Sequence, residues 1–325
     1  MLDEYSFLIP EESNGVIIQN VKELRGVETK LREVFNKYEF NETLIPLFEY
    51  VELYKRVYTN FDEEKIYKYI GQDGKVIALR WDFTIPLARH YFSQHTEEIG
   101  RYSYFGKVYR QEKSYKGRNN ESYQAGIELI NNPGINGDME CLNMLQEILP
   151  KLELKNLKVE LGSAKFFNRI CELTGNKQKL IEILNKKSIS QMEDFVKENN
   201  DLNENLKLLL LKLPRLSGSL KVIDELLENI DDEIIKDSLI ELKNIYNELK
   251  NKENVIFDLG MCPSMEYYTS LMFKVYSPYS PEAIVSGGRY DSLYKNFKKD
   301  VSAIGMGFYL NNILKAIEKE GEIND

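Results

Sequence analysis

The chain has 325 residues, of which 42% are hydrophobic and 29% charged, and its formal net charge is −9. This length supports a sizeable core and about two domains. The negative charge disfavours a nucleic-acid partner, because phosphate neutralisation supplies much of that binding. The most apolar run, near 208–213, is far shorter than the ~20 residues that span a membrane. The N-terminus, MLDEYSFLIPEES, is acidic and lacks the pattern of a signal peptide.

The residues that most often bind metals are few and scattered. Cys141, Cys171 and Cys262 are widely spaced, and they predict neither a disulfide framework nor a metal site. His90 and His95 fall on a predicted helix with no third ligand nearby, so packed or surface imidazoles are expected. No metal and no cofactor are therefore predicted, and the cysteine usage favours a reducing cytoplasm.

The first part of the chain predicts alternating helices and strands. Apolar residues at helical spacing predict an amphipathic helix over 16–38, followed by a strand in 40–46. The runs KIYKY and KVIALR flank the turn GQDG and predict a hairpin over 65–80. A helix over 84–95, with Thr84 as its N-cap, is expected next.

Two further strands, at 101–110 and 122–130, complete this first part. Helical periodicity then dominates 163–250. Strand patterning returns in VIFDL, SLMFKVY, EAIVSGG and VSAIGMGF, before a last helix over 309–320. We therefore expect one α+β domain, residues 1–162 and 251–325, interrupted by a helical insertion domain, residues 163–250.

Polar residues recur on the predicted strands. Gln124 and Glu128 have even spacing and therefore face the same side of the sheet, and Arg110 lies on the adjacent strand. A solvated face with cross-strand ion pairs would produce the same pattern. The chain contains no dinucleotide-binding, phosphate-loop or zinc-protease motif.

More specific strings occur in a fixed order. They are RQE at 110–112, KGR at 116–118, MEYYT at 265–269 and GGRYD at 287–291. Together they resemble the catalytic core of class II histidyl-tRNA synthetases, from about residue 10 to 320. The helix ending at Lys37 and the run NETLIP resemble class II motif 1, 105–128 resembles motif 2, and 301–314 resembles motif 3.

This resemblance implies an antiparallel sheet of six or seven strands flanked by helices, with motif 1 at a dimer interface. It also implies a histidine pocket. Asp82, which stands where the synthetases have glutamate, joins Thr84 and Gln124 as acceptors for the α-ammonium group. Glu128 and Tyr268, with Tyr267 beside them, face the imidazole nitrogens. Arg110 pairs with the ligand carboxylate.

The resemblance fails at three cations that the synthetases use on ATP. The matching positions are Asn120, Pro263 and Asn312. Because loss of one such donor costs roughly a hundred- to a thousandfold in rate, no catalytic residue is predicted here. The sequence also ends near the motif 3 helix, so no anticodon-binding domain and no tRNA partner are expected.

A histidine pocket without activation chemistry resembles the regulatory subunits of short-form ATP phosphoribosyltransferases. This resemblance implies a non-catalytic subunit that activates a short catalytic subunit, binds histidine for feedback, forms a homodimer through residues 20–48 and assembles into a hetero-octamer. No membrane role is expected. The alternatives are an active amino-acid-activating enzyme of the same fold and a histidine sensor with another partner.

Overall fold

The computed structural model describes residues 20–58, 61–95, 97–111, 120–297 and 300–324. The string KGR, Glu112 and the predicted start of the first helix at 16–19 lie outside these residues. The strands are β1 (Asn41–Glu42), β2 (Phe48–Tyr50), β3 (Lys68–Ile70), β4 (Val76–Leu79), β5 (Gly100–Tyr109), β6 (Glu121–Ile130), β7 (Lys158–Ser163), β8 (Ser217–Gly218), β9 (Val255–Asp258), β10 (Leu271–Tyr276), β11 (Val285–Arg289) and β12 (Ala303–Tyr309).

The helices alternate with these strands in the first half and cluster in the middle of the chain. They are α1 (Val21–Lys37), α2 (Val51–Val57), α3 (Thr84–Ser93), α4 (Gly134–Ile148), α5 (Ala164–Thr174), α6 (Lys177–Asn185), α7 (Ile189–Glu198), α8 (Glu204–Lys212), α9 (Lys221–Leu227), α10 (Glu233–Glu248) and α11 (Leu310–Asn324). Four short 3-10 segments are also described, at Glu63–Lys65, Leu149–Leu152, Leu213–Arg215 and Asp291–Phe297. None of the described helices has the length and apolar character that a membrane crossing requires.

Nine of the described strands form one sheet, in the order β1-β5-β6-β12-β11-β10-β7-β9-β8. The six strands from β5 to β7 in this order are antiparallel throughout. They confirm the expected antiparallel sheet flanked by helices. The edges add strands of the other orientation, since β1 is parallel to β5 and β9 is parallel to β7. The predicted hairpin is confirmed as β3 and β4, which pair with β2 in a separate three-stranded sheet.

The strand predicted over 40–46 is wrong in its extent. β1 comprises only Asn41 and Glu42. The guanidinium group of Arg80 donates to the carbonyl oxygens of Ile45 (2.9 Å) and Pro46 (3.3 Å), so these groups bond to a side chain instead of a neighbouring strand. The segment therefore leaves the sheet edge after only one further backbone bond, from Thr43 N to Ser103 O.

The interior strand β6 is largely buried on both faces. One face carries apolar side chains and the other carries polar ones. Ala125, Ile127 and Leu129 lie in the main core, where α1, α4 and α11 cover the sheet. The alternate residues Gln124 and Glu128 are 6% and 3% exposed on the opposite face. The even spacing in the sequence thus carries two polar side chains into the interior.

Helical periodicity over 163–250 is confirmed by α5 to α10. Ser163 caps α5 by accepting a hydrogen bond from Phe166 N, and Gly175, with φ of 67°, ends it in the left-handed conformation. Buried side chains of these helices belong to the same core as the central sheet, and β8 pairs with β9 at the sheet edge. The division into two domains stays a prediction.

Candidate functional site

All seven residues predicted to bind histidine line one cavity. The volume open to water-sized contents is about 50 Å³, enough for a few water molecules. The seven are Asp82, Thr84, Arg110, Gln124, Glu128, Tyr267 and Tyr268. They come from the start of α3, the residue after β5, the length of β6, and the segment before β10, which the sheet order brings to one face.

Glu128 is one of two buried carboxyls in this cavity, and each of its oxygens accepts a hydrogen bond. Thr84 Oγ1 donates to Glu128 Oε1 at 2.6 Å, and the hydroxyl of Tyr290 donates to Oε2. Burial raises the pKa of the Glu128 carboxyl to about 7, although both hydrogen bonds act in the opposite direction. The carboxyl is therefore poised to exchange a proton near neutral pH.

The predicted N-cap role of Thr84 is wrong. Thr84 is the first residue of α3 and makes no capping bond, while Asp82 Oδ1 accepts from Ile85 N at 2.9 Å in that role. The Thr84 hydroxyl is committed to Glu128, a partner 44 positions away. Thr84 is already helical, so the carboxylate of Asp82, two residues earlier, accepts the capping bond instead.

Asp82 is the second buried carboxyl of the cavity. Tyr58 donates to its Oδ2 at 3.3 Å. Burial raises the pKa of Asp82 to about 6, and the nearby guanidinium of Arg110 partly offsets this rise. Arg110 itself lies with its guanidinium 4.7 Å from the centre of the Trp81 ring and donates from Nε to the Trp81 carbonyl oxygen at 3.1 Å. Among the described lining residues, Arg110 is the one cation.

Tyrosines form most of the remaining wall. Tyr267 packs edge-on against Tyr268 and Tyr290, with ring centroids 5.7 and 5.6 Å apart. Tyr309 shares a 2.7 Å hydrogen bond with Ser286, and Tyr104 stacks on Phe83 at 4.0 Å. The cavity thus combines aromatic walls with a few placed polar groups, as small-molecule sites generally do.

Sequence reasoning missed several of these residues. Tyr290 belongs to the GGRYD string, but the string alone did not indicate which of its side chains enters the cavity. Gly305 and Gly307 alternate on β12, and glycines in a strand interior often mark a close approach of another group. Tyr58, which donates to Asp82 from outside the cavity lining, had no signal in the sequence.

The three positions where the sequence lacks an expected cation lie outside the cavity lining; they are Asn120, Pro263 and Asn312. The amide of Asn312 donates to Ala283 O at 2.9 Å, and Asn120 O accepts from Arg110 N at 2.8 Å. Pro263 is half-buried in the loop before Tyr267. The two asparagines have structural roles in backbone bonding, and none of the three residues supplies positive charge.

Comparison with known proteins agrees with this architecture. The histidyl-tRNA synthetase family profile matches residues 15–313. The chain belongs to the histidyl-tRNA synthetase family. Within it, the chain stands among the ATP phosphoribosyltransferase regulatory subunits: it is 39% identical over 323 residues to the protein of that name from Lactococcus lactis subsp. lactis, covering 98% of each chain. It is 32% identical over 321 residues to the one from Bacillus cereus, covering 96% of this chain and 76% of the other.

Solved structures of this family share the fold. An ATP phosphoribosyltransferase regulatory subunit/histidyl-tRNA synthetase from Bacillus halodurans has a TM-score of 0.85 at 26% identity, covering 97% of this chain and 84% of that one. A histidine–tRNA ligase subunit from Alicyclobacillus acidocaldarius has a TM-score of 0.80 at 21% identity, covering 97% and 98%. The second similarity shows the fold alone.

Gly305 leaves the space that the Glu128 carboxylate occupies, which predicts an asymmetry between two glycines of β12. A Cβ at Gly305 would collide with Glu128 Oε2, whereas a Cβ at Gly307 would meet its nearest atom, the Tyr104 hydroxyl oxygen, at 3.5 Å. We expect Gly305→Ala to lower the free energy of unfolding by about 1–3 kcal/mol. Gly307→Ala is the matched control, with a change below about 1 kcal/mol. Denaturant unfolding measures both, and equal effects would contradict the assignment.

Proposed function

We propose that the chain is a non-catalytic regulatory subunit that activates a short-form ATP phosphoribosyltransferase, which performs the first step of histidine biosynthesis, and that it binds histidine for feedback control. The names of the curated relatives support the regulatory role. The observation that supports histidine as the ligand is the cavity, which is lined by the seven residues expected to bind it.

The polar groups of the cavity match those of histidine. The Asp82 carboxylate suits the α-ammonium group, and Thr84, which donates its proton to Glu128, keeps its oxygen lone pairs as acceptors for the same group. Gln124, 6% exposed, supplies a further carbonyl acceptor. Arg110 provides a guanidinium for the ligand carboxylate.

The imidazole end of the ligand fits the opposite side. Glu128 offers a carboxylate, and Tyr268 a hydroxyl that either donates or accepts, so each ring nitrogen has a partner. Tyr267 supports Tyr268 through ring contact. This pairing of a carboxylate with an aromatic wall is specific for a flat ring with two polar nitrogens.

Transfer of the histidine signal requires a second chain. Feedback needs histidine to bind one state of the assembly better than another, because occupancy with equal affinity shifts no equilibrium. We propose that the state concerned is the complex with the catalytic subunit, for which a hetero-octamer is the expected stoichiometry. The three cysteines are buried and form no disulfide, which supports the reducing cytoplasm as the site of action.

The complex provides the central test. We expect the chain to co-elute with a short ATP phosphoribosyltransferase catalytic subunit, to raise its rate, and to confer inhibition by histidine. Glu128→Ala removes the acceptor at the imidazole end, costing on the order of 1–3 kcal/mol in binding, or roughly five- to hundredfold in histidine affinity. Calorimetric titration and inhibition assays measure this loss.

Glu193→Ala is the matched control for that test, because Glu193 is an exposed carboxylate on α7, away from the cavity and from residues 20–48 in the sequence. It should leave affinity and inhibition unchanged. Separate elution of the two chains with an unchanged transferase rate would contradict the regulatory role. Histidine binding without co-elution would favour a sensor that works with another partner.

The absence of activation chemistry is a separate prediction. Asn120, Pro263 and Asn312 supply no charge to a developing phosphate oxyanion. We therefore expect no histidine-dependent ATP–pyrophosphate exchange above a control without protein. An exchange rate comparable to that of a histidyl-tRNA synthetase assayed in parallel would establish the alternative function, an amino-acid-activating enzyme.

An exposed apolar face supports the proposed homodimer. On the three-stranded sheet, Phe48, Tyr50 and Tyr69 are 51%, 43% and 49% exposed, and Phe48 packs edge-on against Tyr69 at 6.2 Å. Leu44, in the segment after β1, is 87% exposed. Contiguous apolar surface of this kind marks interaction sites in soluble proteins. We propose that it extends the interface of residues 20–48 with a second copy of the chain.

Substitution on this face should separate the dimer. Phe48→Glu places a charge where apolar surface is buried on association, and we expect the dimer dissociation constant to rise by at least about tenfold. Leu208→Glu, at an exposed position on α8, is the matched control. Light scattering over a concentration series measures both. A monomeric wild type, or a Phe48→Glu variant that dimerises like wild type, would contradict this interface.

A further inference from the structure

The charges around the cavity are unequal before any ligand enters. Asp82 and Glu128 are both nearly fully buried, at 4% and 3% exposure. Arg110 favours the ionised form of Asp82. Within the described residues Glu128 has no such cation: its neighbours there are the hydroxyls of Thr84 and Tyr290 and the like charge of Asp82. Burying an ionised carboxylate without a paired charge costs free energy. Glu128 is therefore stabilised either by carrying a proton or by bonding to a ligand group that carries one.

The other titratable groups of the described residues that interact with Glu128 are neutral at pH 7. They come from β5, α4, the segment before β10 and the segment after β11: Tyr104, Cys141, Tyr267, Tyr268, Tyr290 and Tyr294. Burial raises the pKa of each of these groups above its usual value. Apart from Asp82, therefore, none of these described neighbours changes charge with Glu128 in the neutral range.

Histidine binding neutralises the net charge of the buried site only if one proton is bound there. The α-ammonium and α-carboxylate of the ligand offset each other, as Asp82 and Arg110 do. With a neutral imidazole and an ionised Glu128, the buried site would hold one uncompensated negative charge. One proton, placed on either the ring nitrogen or the carboxylate, brings the total to zero and forms a charge-assisted hydrogen bond.

Given the proposed histidine site, we propose that the cavity takes up its ligand together with one proton, which Glu128 and the imidazole ring share. Tyr290 is the positioning residue that sets the pH at which this proton must come from solvent. The hydroxyls of Tyr290 and Thr84 each hold one oxygen of Glu128. Each oxygen keeps a lone pair for the ring. Tyr290 acts on the ligand only through Glu128.

The sign of the pH dependence follows from the proton count. Free imidazole has an ordinary pKa of about 6.5, and the free Glu128 carboxyl a pKa of about 7. Between these values the separated partners already carry about one proton, so binding exchanges none. Above pH 7 both have lost it, and binding takes one proton from water, which weakens affinity by about tenfold per pH unit. Below pH 6.5 the partners carry two protons and release one, so affinity falls again, helped by protonation of Asp82.

Tyr290→Phe tests the positioning role. The lost hydrogen bond had favoured the ionised carboxylate, so the pKa of Glu128 rises and the alkaline decline of histidine affinity should shift upward by about half to one pH unit. Tyr294→Phe is the matched control: Tyr294 is buried in the same aromatic cluster, and its hydroxyl has no hydrogen-bond partner within the described part of the chain. It should leave the profile in place. A purely structural role for Tyr290 would lower affinity equally at all pH values.

The decisive measurement counts protons on the wild-type chain. Calorimetric titration with histidine at pH 8, in two buffers of different ionisation enthalpy, should show uptake of close to one proton per site. Glu128→Gln, which keeps the shape but replaces one acceptor oxygen with an amide donor and cannot ionise, should show none. Histidine binding to wild type without proton uptake at pH 8 would overturn this inference alone. Absence of histidine binding at every pH would overturn the proposed ligand as well.

Discussion

The placement of one carboxylate, that of Glu128, constrains most of the pocket. An ionised carboxyl in the interior loses several kcal/mol of hydration, and here Thr84 and Tyr290 replace part of the lost water with hydroxyl donors. Gly305 on the neighbouring strand leaves the volume that the carboxylate fills. Because these partners come from α3, β12 and the segment after β11, one polar side chain fixes the mutual positions of three distant parts of the chain. The same contacts leave the carboxylate facing a cavity instead of closing over it.

The string GGRYD joins this pocket to the core on the other side of the sheet. Gly288 faces the cavity, where a Cβ would press on the Tyr268 ring, and Gly287 faces the core against Phe273. Arg289 follows the core side and pairs with Asp138 at 2.8 Å, on α4. Because side chains alternate between the two faces of a strand, consecutive residues of this string face the cavity side and the core side in turn. A buried ion pair is weak evidence for stability by itself, but it specifies one arrangement, since breaking it would leave a charge unpaired.

Under the proposed function, the pocket recognises an amino acid without the positive charge that its activation by ATP requires. Polar groups that recognise an amino acid act equally in an enzyme and in a sensor, whereas catalysis needs groups that stabilise the transition state more than the substrate. The side-chain amide of Asn312 donates a hydrogen bond to the backbone carbonyl oxygen of Ala283. Under the proposed function, binding energy is available to shift an equilibrium between assemblies. The exposed apolar face on the small sheet and the buried polar pocket then serve assembly and sensing separately.

The sequence by itself determined five of the six antiparallel strands (β7 was missed), the hairpin, the helical middle of the chain and the shared face of Gln124 and Glu128, because periodicity reports which side of an element is buried. The ordered strings also indicated the family. Only the tertiary structure decided which groups meet: the Thr84 hydroxyl bonds a residue 44 positions away instead of capping its helix, and Tyr290 reaches the same carboxylate across 162 positions. It also shortened β1, since Arg80 takes the carbonyls that a longer strand would need. Local patterns carry no record of these partners, because a side chain's hydrogen-bond choice depends on what the folded chain places beside it.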